Sequence, residues 1–177
     1  PPKPPEHNRL GMDFRQPLPR PKVRGMVIDF HTHLLAHRHT SVWLEAMEHF
    51  GIDAFVTMTP LAEAVRLKRD LGDRVHFIAI PRWADPSAYW VDEWLRRLEA
   101  FYNLGSRIIK FHMAPGTMAR TNHTLEDPGI QRIIKEARSR GMILMSHVGD
   151  PDTWYQGKYT DTAKYGTREL HYRIWED

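Results

Sequence analysis

Residues 26–40 read MVIDFHTHLLAHRHT, four histidines in nine positions directly after an apolar run. If the opening MVIDF is a strand that continues through DFHTH, Asp29, His31 and His33 share parity. Their side chains then project from one face, with about 7 Å between alternate residues. Two imidazoles so placed can chelate one cation, and neutral imidazole suits zinc and its neighbours in the first transition row. Asp29, one layer deeper, would accept a ring N–H and fix the tautomer. An ordinary hydrogen-bonded histidine pair in a polar loop is the competing reading. His37 and His39 repeat the spacing beyond the strand end and read as loop residues.

Working outward, strands and helices alternate. SVWLEAMEHF (41–50) is helical and ends at Gly51, and IDAFVTM (52–58) is a second strand. Thr59 and Pro60 have the chemistry of an N-cap and first helical residue for LAEAVRLKRDL, which Gly72 stops. VHFIAI (75–80) is a third strand. Asp85-Pro86 opens a helix with Val91, Leu95, Leu98 and Tyr102 along one stripe. SRIIKFH (106–112) is a fourth strand. Pro128 starts a helix with Ile130, Ile133, Ile134 and Ala137 at helical spacing. MILMSHV (142–148) is the fifth strand, and TRELHYRIWED closes the chain as a helix. This alternation predicts right-handed βαβ units, an α/β fold on a parallel sheet covered by helices.

The polar residues sit at carboxyl ends of strands, where parallel α/β folds place their ligands. His31 and His33 follow strand one, Arg82 and Trp83 strand three, Lys110 and His112 strand four, His147 and Asp150 strand five. Lys110, inside IIKFH, is costly in a buried strand unless paired. It would counter a carboxylate, bind an anionic substrate, or, once carbamylated, bridge two metals. His112 reads as a substrate contact or a support to its neighbours. Arg82, beside Trp83, would bind a substrate carboxylate bidentately or simply pack on the indole. Asp150 would orient substrate or cap the fifth helix. His147 is the candidate third imidazole ligand.

The bulk numbers exclude more than they specify. The 177 residues suffice for one domain with a sizeable core. With no cysteine, disulfides, thiolate metal sites and cysteine nucleophiles are ruled out. The formal charge of +3 and the lack of a dense basic run give no reason to expect a nucleic-acid partner. No apolar run approaches the roughly 20 residues of a membrane span, so a cytoplasmic protein acting on a small molecule is the expectation. Residues 1–24 hold seven of the thirteen prolines and read as an extended arm or linker, leaving 25–177 as the folded part. The sequence opens without a methionine, as in a processed chain or one cut from something longer.

IDFHTH, IIKFH and LMSHVGDP together resemble the amidohydrolase superfamily, in particular the amidohydrolase 2 group that includes aminocarboxymuconate semialdehyde decarboxylase. The matches are His31 and His33, Lys110 by position, and His147, and they span about residues 26–150. The resemblance implies a (β/α)8 barrel of TIM type and a divalent metal, zinc foremost. His31, His33 and His147 would hold it, and Lys110 would hold a second cation or the substrate. It implies metal-activated water attacking an amide, ester or lactone, or a non-oxidative decarboxylation in close relatives. Lys110 and His147 would carry the catalysis.

The family also uses a histidine after strand six and an aspartate after strand eight. Only about five of the eight βα units are present here, since whole barrels run to about 250 residues. The expectation is therefore a partial barrel with two free strand edges, completed by a homo-oligomer or another chain. Two alternatives stay open: a non-catalytic half-barrel with a remnant metal site, and a PHP-type phosphoesterase. The latter is disfavoured because residues 50–75 offer Asp53, Glu63, Asp70 and Asp73 but no histidine.

Overall fold

The computed structural model describes residue 16 and residues 25–82, 88–114, 117–118 and 121–149. Five strands run β1 (Ile28–Thr32), β2 (Ala54–Met58), β3 (Val75–Ala79), β4 (Ile108–His112) and β5 (Ile143–His147). They hydrogen-bond in chain order, every pair parallel. Among the described residues, helices α1 (Thr40–Phe50), α2 (Leu61–Leu71), α3 (Trp90–Asn103) and α4 (Pro128–Ser139) connect or flank them. Sequential parallel order with helical crossovers gives the α/β, TIM-type partial barrel expected, five strands of a curled sheet joined by four crossovers. The expected arm (1–24), the opening of the third helix at Asp85-Pro86 and the closing helix fall outside the described residues, apart from Gln16.

The helices cover one face. Phe55 packs on Trp43 of α1, Phe77 on Phe101 of α3, and Phe111 on Trp94 of α3, with ring centroids 5.6, 6.4 and 5.0 Å apart. The register pairs Phe55 with Val75 and Thr57 with Phe77, so these positions share the helix side. Alternate residues therefore line the opposite, inner face: Val56 and Met58, Ile78 and Ile80, Ile108 and Lys110, Met145 and His147. On α3 the buried stripe is Trp94, Leu98 and Phe101; of the expected Val91–Leu95–Leu98–Tyr102 line Leu98 is buried and the other three are partly buried. On α4 Ile130, Ile133 and Ala137 are buried as the spacing predicts.

Helix ends follow local chemistry. Gly51 takes a left-handed φ of 65° after α1, a conformation that side chains with a Cβ resist. The Asp127 carboxylate accepts the N–H groups of Gly129 and Ile130 ahead of Pro128, capping α4. Thr59 is not the cap of α2. Pro60 takes that place, and the Thr59 hydroxyl instead donates to Leu34 O at 2.6 Å.

The edges of the sheet are open among the described residues. Ile28 and Phe30 of β1 are 46% and 52% exposed, and Ile143 of β5 is 60% exposed. In contrast every residue of β2 is buried. No described helix is long and apolar enough to cross a membrane.

Candidate functional site at the carboxyl rim

Three threonines, which the sequence reading passed over, set the histidine turn. Thr32 Oγ1 donates to Val56 O at 3.0 Å, Leu34 N–H donates to Thr57 Oγ1 at 2.8 Å, and Thr59 closes the ladder on Leu34 O. All three are buried, as is Leu34. These bonds tie the chain on either side of His33 to β2, so the turn is held by hydroxyls rather than by apolar packing alone. Nothing in their spacing marks them, because threonine is ordinary in strands.

The β1–β2 register shifts between Asp29 and Thr32. Asp29 pairs with Phe55 and Thr32 with Thr57, both on the helix side, so the simple alternation that aligned Asp29 with His31 breaks. Asp29 lines a small cavity with Trp43, Met47 and Phe50 of α1. Its carboxylate accepts the backbone N–H of His31 at 3.4 Å, in place of the ring N–H that same-face geometry implied. His31 and His33 lie together at the rim, ring centroids 5.4 Å apart.

On the other side of the site, His112 and His147 are register partners on β4 and β5. Their rings stack, centroids 4.4 Å apart and 10° from parallel. Thr117 Oγ1 hydrogen-bonds His112 Nδ1 at 2.9 Å, fixing that ring from the loop after β4. Lys110 lies one step down the inner face from His112. It is 5% exposed, and no carboxylate pairs with its ammonium among the described residues. Burial alone pulls its pKa below the ordinary 10.5. His31 is also lowered, first by burial and then by the charges of Lys110 and His33, with a smaller push from His147, while Asp29 works the other way. The fields of Lys110, His33 and His147 thus converge on one imidazole.

So the sequence-predicted His31, His33, Lys110, His112 and His147 do share one rim. Arg82 is exposed just past the end of β3; Arg97, half-buried and donating to Ile80 O, has its pKa lowered first by burial and then by the Arg82 charge, against a pull from Glu93. Trp83 and Asp150 lie outside the described residues. His37, read as a loop residue, pairs with Asp70 at the end of α2, and His123 pairs with Asp127, its ring tilted 40° against that of Trp90 with centroids 4.4 Å apart. A ligand set of three imidazoles is a separate matter from proximity. Among the described residues no group of three or more histidine, aspartate or glutamate side chains is placed to hold a metal ion.

No family model and no curated protein matches the chain. Two solved structures are similar to it. A protein from Coccidioides immitis assigned as a deoxyribose-phosphate aldolase is 14% identical, with a TM-score of 0.44 over 73% of this chain and 51% of its own. The tetrameric deoxyribose phosphate aldolase of Aeropyrum pernix is 16% identical, with a TM-score of 0.40 over 67% of this chain and 49% of its own. The chain thus spans about half the length of either, and at such identities likeness concerns fold. Both neighbours carry the name of an aldolase and neither that of a metal-dependent hydrolase. The expectation of metal-activated hydrolysis or decarboxylation is corrected on that ground. At the rim, the buried Lys110 stands with the histidines, and its charge acts on His31 together with those of His33 and His147.

Proposed function

We propose that this rim is an enzyme site in which Lys110 reacts, as a neutral amine, with the carbonyl group of a small-molecule substrate. The observation that carries the reading is the burial of Lys110 on the inner face of β4 with no carboxylate partner among the described residues. A lysine desolvated among apolar neighbours holds more of its nucleophilic neutral form near neutral pH, the usual activation of imine-forming lysines. Attack by Nζ on the carbonyl carbon forms a C–N bond, and loss of water leaves the imine. The departing hydroxyl takes a proton, and a neighbouring imidazolium can give it and later recover it. His31, His33 and His147 are the rim imidazoles that would do so, with Thr117 holding His112, whose ring stacks on His147. The imine withdraws electrons from the adjacent carbon, which suits carbon–carbon bond making or breaking.

The test is reductive trapping. The full chain is incubated with acetaldehyde and sodium cyanoborohydride, and the adducts are mapped by peptide mass spectrometry. Lys110 is expected to be labelled well ahead of the surface lysines Lys68 and Lys135. Labelling of Lys110 no faster than theirs removes the reading.

A further inference from the structure

The proposed chemistry says nothing about what else the substrate carries, but the charge pattern of the rim does. Five basic side chains gather on one end of the inner face: His31 and His33 with rings 5.4 Å apart, Lys110, and the stacked His112 and His147 at 4.4 Å. Arg82 adds an exposed guanidinium at the end of the intervening β3. Against them, among the described residues the one carboxylate acting on His31 is that of Asp29, which is engaged with the backbone N–H of His31 and borders the α1 side of the sheet. Gathering positive and proton-donating groups around a buried ammonium raises the energy of the empty site, and an anion lowers it. Two imidazoles at the His31–His33 separation can present N–H donors to the two oxygens of one carboxylate.

We propose, building on the imine reading, that the rim selects a carbonyl compound bearing a negative charge next to the reacting carbon, a 2-oxo acid in the first instance. The carbonyl carbon meets Lys110 Nζ, and the carboxylate lies toward the His31–His33 pair. A phosphate farther from the carbonyl presents the same charge to a different place. Neutral ketones of equal size lose the attraction and approach Lys110 more slowly.

Trapping rates at Lys110 are compared for pyruvate, dihydroxyacetone phosphate and hydroxyacetone, each divided by the rate for free Nα-acetyl-lysine to remove intrinsic reactivity. Pyruvate is expected to exceed hydroxyacetone by about tenfold at low salt. The margin should shrink in about 0.5 M sodium chloride, where screening reaches only a few ångströms. It should also shrink in His33→Asn and in His31→Asn, two variants so that a misfolded one leaves the other, folding being checked by circular dichroism. A normalised pyruvate rate equal to or below that of hydroxyacetone overturns the proposal. Dihydroxyacetone phosphate ahead of pyruvate overturns the carboxylate assignment. If nothing labels Lys110, acetaldehyde included, the imine reading fails by itself. Calorimetric titration of the full chain with pyruvate then decides the anion site: saturable binding weakened in His33→Asn supports it, and no binding ends it.

Discussion

Strand β4 carries two different proteins on its two faces. Ile109 and Phe111 look into the helix layer, fully buried, with Phe111 against the Trp94 ring. Lys110 and His112, interleaved with them, look into the concave side, where a charge stands unpaired among the described residues and a histidine stacks on its neighbour. One face lowers the free energy of the fold, and the other raises it. Residues that a strand buries at a cost, beside residues that it buries at a gain, are what separates a site from a core.

The sharpest way to break this contrast is to cut each face in turn. Phe111→Ala removes a ring at the centre of the helix-side packing and is expected to destabilise by about 3–5 kcal/mol. His112→Ala, one residue away on the same strand, is expected to cost well under half of that. Urea unfolding of both variants, followed by circular dichroism, checks it. Equal losses would mean that the inner face is as much core as the outer.

Lys110→Met reverses the sign. The methionine keeps most of the length and apolar volume and drops the buried charge, so the variant is expected to gain roughly 1–2 kcal/mol while losing all trapping by carbonyl compounds. Because the folded chain lowers the lysine pKa, the unfolded chain binds more protons between that lowered value and the ordinary 10.5. Wild-type stability therefore rises with pH through this window, and the advantage of Lys110→Met narrows from pH 7 toward pH 10. Melting temperatures of the two proteins across that range test the sign. An advantage that widens with pH would show that the ammonium is stabilised where it sits.

How much of this was legible beforehand differs between the same two faces. The helix side was written in apolar periodicity, so five strands, their parallel order and the α4 stripe Ile130–Ile133–Ala137 could be anticipated from spacing alone. The rim was legible as a place: His31, His33, Lys110, His112 and His147 do meet there. Its wiring was not. The register shift after Asp29 is a one-residue event that no hydrophobic pattern records, and it turned a presumed ring acceptor into a partner of the His31 backbone. The threonines at 32, 57 and 59 and the Thr117–His112 bond are tertiary hydroxyl contacts, invisible to periodicity. The chemistry went astray for a related reason. A histidine–X–histidine motif reports two imidazoles and leaves open whether a third group completes a metal site or a cation occupies its place.

The smallest effect asks whether rim and helix layer are separable where they come nearest. Asp127 caps α4 through Gly129 and Ile130 and holds His123, whose ring packs tilted against Trp90 at the start of α3. It belongs to the loop that follows β4, yet its bonds serve the helices. Asp127→Ala is expected to cost about 1 kcal/mol, the usual value of such a cap, and to leave the normalised labelling rate of Lys110 unchanged. Burial pushes this carboxyl upward, but the His123 bond and the two backbone N–H bonds outweigh it and hold its pKa below the ordinary 3.8. A lowered carboxyl contributes stability that is complete above the unfolded value and is lost as pH falls through the folded one. The gap between wild type and Asp127→Ala should accordingly close as pH falls below 3.8. A variant that instead slowed Lys110 labelling at unchanged stability would tie this cap to the rim, and the division of labour between the two faces would end at the loop rather than at the sheet.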